Sequence, residues 1–219
     1  MIETSRSGRE GLLIVPLGDC ALLVRFGDSL EDGANRAAQA LAAALDADPI
    51  AGVVEVVPSL VSVLLRYDPA ATEPFRLAGE IALRLSRPAE KPAGSHRIGV
   101  RFEGPDLAEV AAALDLTIAD FIAQHCAAPL RVLATGFAPG FVYCGFHGAD
   151  LTLPRRQQVR PLVPAGSVLF AAGQTAIAAS DIPTGWHVIG QTDFRNFDAA
   201  RLPPTRLQAG DLVSFEALA

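Results

Sequence analysis

The chain has 219 residues, of which 50% are hydrophobic and 19% are charged, and its formal net charge is -6. This composition is typical of a globular protein with one large domain or two small ones, and the acidic balance argues against a nucleic-acid partner, which usually needs a basic face. No apolar run approaches the roughly 18 residues that span a membrane, and the N-terminal residues lack the pattern of a signal peptide, so we expect a cytoplasmic protein with no membrane partner.

The first 87 residues show one order of elements twice, two strands followed by a helix. Short apolar runs separated by the turn signals Gly18-Asp19 and Pro58-Ser59 indicate the strand pairs. Apolar residues at a spacing of three to four indicate the helices. We therefore predict a small α/β unit. Its predicted strands are 11–17, 20–26, 52–57 and 60–67, and its predicted helices are 30–45 and 73–87.

The segment 88–95, PAEKPAGS, is the best candidate for a domain boundary, because it combines two prolines, a glycine and charged residues. It predicts an N-terminal α/β domain over 1–90 and a second domain over 91–219. The segment also contains Lys91, the single lysine of the chain. The sequence therefore has no G-x-x-x-x-G-K-[ST] phosphate loop, and a Schiff-base lysine is not expected.

The second domain is predicted to begin with a strand and two helices. Pro105 and Asp106 suit the first turn of the first helix, and Thr117 is predicted to cap the second, with Asp120 three residues later as a variant of the capping box. Beyond these helices, short apolar runs alternate with glycine and proline. Evenly spaced short strands of this kind predict a barrel or a sandwich, so we expect a β-barrel with two helices inserted near its start.

The histidines and cysteines show no metal-binding pattern. None of the four histidines forms H-x-x-x-H or H-E-x-x-H, and Cys144 and His147 make a single C-x-x-H without a second pair. We therefore predict no metal site.

His125 ends a predicted helix, where a protonated ring would interact favourably with the helix dipole, and both this structural role and a catalytic role stay open. No serine lies in a G-x-S-x-G elbow.

The segment GFAPGFVYCGF, residues 136–146, combines three glycines, one proline and four aromatic residues, a mixture that neither a helix nor a plain strand favours. Downstream, polar residues and one tryptophan stand where glycine or proline interrupts short strands, which is typical of loops that line the mouth of a barrel.

Arg155, Arg156 and Arg160 lie in a stretch predicted as an ordered loop. They suit either the capture of a carboxylate or phosphate or a solvated face. Ser167 either offers its amide to an anion-binding nest or begins a strand after a turn.

The ordered series GFAPGFVYCGF, LPRR, RPLVPAGSV, GQTAI, GWHVIGQT and QAGDLVSF resembles the KipI / allophanate hydrolase subunit 1 family, whose members include the B-type subunits of 5-oxoprolinases. The resemblance covers nearly the whole chain. It implies an α+β fold, in which a small N-terminal α/β domain precedes a cyclophilin-like β-barrel domain. Val142, Thr184 and Gln191 depart from the residues that are usual in the family, and Gln191 stands in place of an arginine.

The resemblance also implies an activity and partners. Family members work beside a KipA-type (allophanate hydrolase subunit 2) protein, and with a LamB/YcsF-type third subunit they form an ATP-dependent 5-oxoprolinase, which opens the lactam of 5-oxoproline to glutamate. We therefore expect a non-autonomous subunit of an amide or lactam hydrolase, in which ATP binds through the complex. The alternatives are a KipI-like inhibitor of a histidine kinase and a carboxyltransferase-type subunit of urea or allophanate degradation.

The expected site residues come from separate breaks between the short strands. Arg155 would orient an anionic group, Gln174 would donate to a carbonyl oxygen that gains charge, and Trp186 would form an apolar wall, with His125 and Ser167 near the edge. The predicted catalytic residues are His125, Arg155 and Gln174, and the predicted substrate-binding residues are Phe137, Pro139, Phe141, Tyr143, Ser167, Thr175 and Trp186.

Overall fold

A computed structural model describes residues 12–85 and 93–218 of the chain. The chain divides into two compact units, Met1–Pro92 and Ala93–Ala219. The segment predicted as a boundary, 88–95, falls mostly on residues outside the described ranges.

The first unit contains a four-stranded antiparallel sheet in the order β1-β2-β4-β3. Every strand and helix predicted for this part of the chain is present. Leu22, Val24 and Leu65 of the sheet are buried against Leu41 and Leu77 of the two helices. The strands are β1 (Leu13–Pro16), β2 (Ala21–Arg25), β3 (Val53–Pro58) and β4 (Ser62–Tyr67), and the helices are α1 (Asp32–Ala47) and α2 (Pro74–Leu85).

The second unit is built on a seven-stranded sheet in the order β12-β9-β10-β7-β6-β13-β5, and a separate two-stranded sheet pairs β11 with β8. In the large sheet, β13 and β5 are parallel and all other neighbours are antiparallel. The elements in chain order are β5 (Ser95–Val100), α3 (Leu107–Ala113), α4 (Ile118–His125), β6 (Leu130–Thr135), β7 (Val142–Gly145), β8 (Arg160–Val163), β9 (Ser167–Ala171), β10 (Gln174–Ile177), β11 (Ile182–Thr184), β12 (His187–Gln191) and β13 (Leu212–Ala217).

The large sheet is curled, so that its two edges meet at one point. Just beyond β5, the Arg101 amide donates to the Gln191 carbonyl of β12 at 2.9 Å, and the Gln191 amide donates back at 2.9 Å. Irregularities in the pairing of β6 with β7 and of β12 with β9 add local twist, as bulges do. A Cβ at Gly190 would lie 2.6 Å from the Arg101 carbonyl oxygen, so this approach of the edges requires glycine.

Side chains alternate between the two faces of the large sheet, and each face is covered by different elements. On one face, Val132 and Phe170 pack with Val110 and Phe121 of the helices. On the other face, Leu169 and its neighbours pack under the small sheet and Trp186. The face on which a residue lies therefore decides which functional groups it reaches.

The predicted helices of the second unit are present after its first strand. The Thr117 hydroxyl accepts from the Asp120 amide at 3.1 Å, which confirms the predicted cap of α4. Three strands, β7, β8 and β11, were not predicted. The stretch with the three arginines, residues 153–166, was predicted as a loop, but Arg160–Val163 within it form β8, which pairs with β11. Proline hid β8 and β11, because pairing in a two-stranded sheet tolerates it. The glycines and the proline around β7 indicated a loop, although β7 lies between β10 and β6 inside the large sheet.

Candidate functional site

The loop between β6 and β7 is rigid without being regular. The Phe141 amide donates to the Ala138 carbonyl at 3.0 Å, which closes a tight turn. Gly140 has a φ of +71°, and a Cβ there would lie 2.5 Å from the Cβ of Phe197. The buried side-chain amide of Asn196 donates to the Gly140 carbonyl at 2.8 Å. Glycine is therefore required where the loop meets its neighbour, which explains the composition of GFAPGF.

Four aromatic rings from this loop and from the residues around β7 and β12 form a continuous row that ends on an arginine. The ring centroids of Phe137 and Phe141 are 5.4 Å apart, those of Phe141 and Tyr143 are 4.8 Å apart, and those of Tyr143 and Trp186 are 5.9 Å apart. The guanidinium of Arg155 lies 5.5 Å from the centre of the Trp186 ring, which is a cation–π distance. Phe137 is 68% exposed, Trp186 is 5% exposed and Arg155 is exposed, so the row is buried in its middle and reaches the surface at both ends.

The charged end of this row is suited to bind an anion. Arg155 is exposed and pairs with no carboxylate of the described residues. Burial raises the pKa of the Tyr143 phenol, and the positive charge of Arg155 acts in the opposite direction. Tyr143 is therefore a neutral hydrogen-bonding group beside a fixed positive charge.

The two neighbouring arginines, Arg156 and Arg160, both donate hydrogen bonds to one buried carboxylate. Asp106 accepts hydrogen bonds from Arg156 at 2.7 Å and from Arg160, and its second oxygen accepts from the Val188 amide at 2.8 Å. Burial raises the pKa of the Asp106 carboxyl, but these hydrogen bonds and charges outweigh it and lower the pKa. Of the three arginines in the cluster, only Arg155 remains exposed and available to a ligand.

Gln174 begins β10 and lies on the same face of the sheet as Tyr143. It is 5% exposed, and its Oε1 atom is buried without a hydrogen-bond partner among the described residues. A Cβ at Gly145 would lie 3.3 Å from the Cγ of Gln174 and 2.8 Å from the Leu133 side chain. The carboxamide therefore lies over the glycine of the neighbouring strand, beside an apolar side chain.

The opposite face holds a second polar cluster. The Thr175 hydroxyl lies 2.8 Å from Nε2 of His125 and 2.8 Å from Nε2 of His147. Because a hydroxyl carries one hydrogen, it donates to one ring and accepts from the other. Burial lowers the pKa of His125 well below its usual value, with a smaller contribution from His147, and burial lowers the pKa of His147 to about 4. Both rings are neutral near pH 7, so the predicted dipole role of a protonated His125 is wrong.

Acidification is expected to destabilise the protein through His147. Above its ordinary pKa of 6.5 the ring is neutral in both states, and between 6.5 and about 4 only the unfolded chain gains the proton. We expect a loss of about 2–3 kcal/mol of unfolding free energy between pH 7 and pH 4.5 from this residue. Urea denaturation at both pH values measures it. Between pH 7 and pH 4.5, the unfolding free energy of His147→Gln should fall by about that much less than the unfolding free energy of the wild type. Equal losses in the variant and the wild type would contradict the prediction.

The chain matches a known protein family along most of its length. The family described as carboxyltransferase domain, subdomain C and D, matches residues 12–207. The chain belongs to this family. The B-type subunit of 5-oxoprolinase from Bacillus subtilis (strain 168) is 34% identical over 219 residues, covering 92% of this chain and 91% of that protein. The subunit of the same name from Escherichia coli O157:H7 is 43% identical over 112 residues, which span 51% of each protein. The family resemblance seen in the sequence is confirmed.

Solved structures share the fold of this carboxyltransferase-family chain. TTHA0988 superposes with a TM-score of 0.81 and 36% identity over 91% of this chain, which spans only 40% of the length of TTHA0988. The K. lactis urea amidolyase superposes with a TM-score of 0.75 over 98% of this chain, which spans 15% of that protein. At 15% identity this second likeness shows the fold alone. The protein is thus a mixed α/β carboxyltransferase-type domain with a curled sheet.

The structure divides the predicted site residues into three groups. Phe137, Phe141, Tyr143, Trp186 and Arg155 form the aromatic row, and Gln174 shares their face. Thr175 follows Gln174 on β10 and therefore points to the other face with His125. The expectation that His125 lies at the edge of the same pocket is wrong. His125 contacts Thr175, whose side chain lies on the face opposite that of Gln174.

Ser167 and Pro139 take part in turns rather than in either cluster. The Ser167 hydroxyl donates to the Pro164 carbonyl at 2.7 Å, and the Ser167 amide donates to the same carbonyl at 3.1 Å. The amide is therefore not available for an anion, and the alternative of a turn before a strand is correct. Gln191 stabilises this turn by donating to the Ala165 carbonyl at 2.7 Å. Pro139 is exposed at the tip of the loop next to Gly140.

Sequence reasoning missed three residues that organise the two faces. In the sequence, His147 belongs only to a lone C-x-x-H, yet it shares the Thr175 hydroxyl with His125. The sequence pattern predicts a helix start at Asp106, whose carboxylate also binds two arginines. Asn196 lies in no motif, although an asparagine near a glycine-rich loop is a reasonable candidate for holding that loop.

Residues 12–85 and 93–218 contain neither a metal-binding cluster nor a membrane-spanning helix. No group of three or more His, Cys, Asp or Glu side chains within those ranges is arranged to hold a metal ion. No helix described there has both the length and the apolar character needed to cross a membrane.

Proposed function

We propose that the chain is a non-autonomous subunit of an ATP-dependent amide or lactam hydrolase, and specifically of a 5-oxoprolinase that converts 5-oxoproline to glutamate. The observation that carries this proposal is the similarity along 91% of the length of the B-type 5-oxoprolinase subunit of Bacillus subtilis. A protein named as a subunit implies further subunits. In this proposal they are a KipA-type protein and a LamB/YcsF-type protein.

ATP would act through the complex in this proposal. When bound, it would supply the free energy for opening a stable lactam through its own hydrolysis to ADP and phosphate. The residues of this chain do not fit a phosphate site of the common kind, because the sequence has no G-x-x-x-x-G-K-[ST] motif and its one lysine, Lys91, lies outside the described ranges. We therefore assign nucleotide binding to another subunit and derive no step of ATP chemistry from this chain.

The role of this chain is to bind and orient the substrate. Arg155 is the exposed cation of the aromatic row, and a carboxylate is the anion that a guanidinium binds through paired hydrogen bonds. Trp186 lies under that guanidinium and Tyr143 lies beside it, so the substrate carboxylate would sit at the rim of an apolar face. The curled sheet that carries these residues corresponds, in this proposal, to the cyclophilin-like β-barrel of the family, and the contact between Arg101 and Gln191 supports closure of that barrel.

Reconstitution tests the proposal. The purified chain alone is expected to release no phosphate from ATP above background, with or without 5-oxoproline. Addition of the KipA-type and LamB/YcsF-type subunits should give phosphate release that depends on 5-oxoproline, with glutamate formed in step. Coupled phosphate detection and chromatography of glutamate measure both products.

The reconstitution experiment also distinguishes a 5-oxoprolinase subunit from the alternative functions. Turnover by the isolated chain would contradict the role of a dependent subunit. A complex that consumes urea or allophanate but not 5-oxoproline would favour a carboxyltransferase-type subunit of urea degradation. An absence of turnover, together with inhibition of a sensor histidine kinase by the chain, would favour the KipI-like regulator.

A further inference from the structure

One buried polar atom on the face of the aromatic row lacks a partner. The Oε1 atom of Gln174 is buried and accepts no hydrogen bond within the described part of the chain, while the residue as a whole is 5% exposed. Buried carboxamide oxygens are nearly always hydrogen-bonded, because water would satisfy them in the unfolded chain. The atom is therefore a site where a donor from outside the chain is favourable.

The described neighbours of Gln174 give this oxygen no donor, and on its face they comprise small residues, Leu133 and the buried Arg131, which is paired with Gly145. Gln174 is paired with Ala171 of β9, and Ala176, two residues further along β10, is paired with Tyr143 of β7. Across β7, the Leu133 side chain lies next to Gly145 and is apolar. Gln174 and Tyr143 are diagonal neighbours on the paired strands β10 and β7, a relation that places such residues about 7–8 Å apart.

The chemistry of an acceptor oxygen selects the ligand. We propose that Gln174 is a specificity-determining residue whose Oε1 accepts the N–H of an amide-type substrate, so that the site selects a lactam over the corresponding lactone. This inference rests on the proposed function, which supplies 5-oxoproline as the lactam. It adds an acceptor role to the donor role toward a carbonyl oxygen that the sequence led us to expect, because a carboxamide carries both groups.

A pair of ligands that differ in one group tests this assignment. 5-Oxoproline carries a ring N–H, whereas 5-oxotetrahydrofuran-2-carboxylate has a ring oxygen at that position and retains the carbonyl and the carboxylate. Trp186 is the single tryptophan of the chain and lies on the same face, so its fluorescence reports binding to the full chain. We expect the wild-type chain to bind the lactam at least about tenfold more tightly than the lactone.

Variants then assign the preference to Gln174. Gln174→Met should bring the dissociation constants of the lactam and the lactone within about twofold of each other, because methionine lacks the oxygen that accepts the lactam N–H. Gln174→Glu, which keeps acceptor oxygens, should retain the preference for the lactam. Gln158→Met, on the exposed loop before β8, is the matched control and should behave as wild type. A purely structural role for Gln174 would weaken both ligands equally and leave their ratio unchanged.

The inference and the proposed function fail in different ways. Equal affinities in the wild type, no lactam-induced change, or an unchanged ratio in Gln174→Met would overturn the inference. A reconstituted complex that hydrolyses 5-oxoproline despite such a result would leave the proposed function intact. A complex without that hydrolysis, from a chain that still prefers the lactam in a Gln174-dependent way, would reject the proposed function and support the inference.

Discussion

Replacement of Asp106 by alanine is expected to lower the free energy of unfolding by about 3 kcal/mol, the lower end of the range for breaking a buried ion pair. The carboxylate side chain is 3% exposed and receives two arginines, whose side chains are 22% and 33% exposed. Its removal leaves two guanidinium groups close together, with Arg160 lacking its counter-charge and Arg156 keeping only the more distant Glu109 carboxylate at 3.6 Å. It also leaves the Val188 amide without its acceptor. Because the arginines keep some access to water, the upper end of the range is not expected.

Urea denaturation at pH 7 measures this effect, and Asp150→Ala, at an exposed position, serves as the control with a change under about 0.5 kcal/mol. The pKa of Asp106 is lowered in the folded protein. The stabilisation that the ionised Asp106 carboxylate gives to the folded state is therefore fully present above the ordinary carboxyl pKa. It is lost as the pH falls through the lowered pKa of Asp106 in the folded protein. The difference between wild type and Asp106→Ala should shrink in strong acid. A destabilisation that is as small as that of Asp150→Ala would show that the arginines find other partners.

Local signals in the sequence were sufficient for most of the fold. Apolar alternation and the turns at Gly18-Asp19 and Pro58-Ser59 predicted both strand pairs of the first unit, because register there depends on neighbours in the chain. Thr117 predicted its own helix start, because a cap involves residues only three apart. The strands β8 and β11 were missed because Pro161 and Pro183 lie within them.

The candidate site depended on contacts that no local signal contains. Asp106 and Arg160 are 54 residues apart in the chain, and each alone resembles an ordinary helix-start or surface residue. Gln174 and Thr175 are adjacent in a motif that the resemblance marks as one unit, yet alternation along β10 sends them to opposite faces. The sequence pointed to the residues that form the aromatic row, because glycine, proline and aromatic residues concentrate in its loops. It did not separate them from the histidine cluster.

Removal of the Arg155 side chain should affect the reaction and leave the fold unchanged. In the reconstituted complex, Arg155→Ala is expected to lower 5-oxoproline turnover by about ten- to a thousand-fold, as loss of a preorganised charged donor does. The side chain is exposed and contacts the Trp186 ring, so its loss should change the free energy of unfolding by no more than about 1 kcal/mol. Arg155→Lys should recover part of the activity, because lysine keeps the charge and loses the paired geometry.

The choice of substrate shows whether Arg155 acts on the carboxylate. 2-Pyrrolidinone has the lactam of 5-oxoproline without its carboxylate, so its slower turnover should be the same in wild type and in Arg155→Ala. Arg201→Ala, at an exposed position of the same unit, is the control and should match wild type on both substrates. An equal loss on both substrates would mean that Arg155 supports the aromatic row or a subunit contact instead of binding the anion. Unchanged turnover of 5-oxoproline would place the carboxylate elsewhere in the complex, since no second cation of the arginine cluster is free of Asp106.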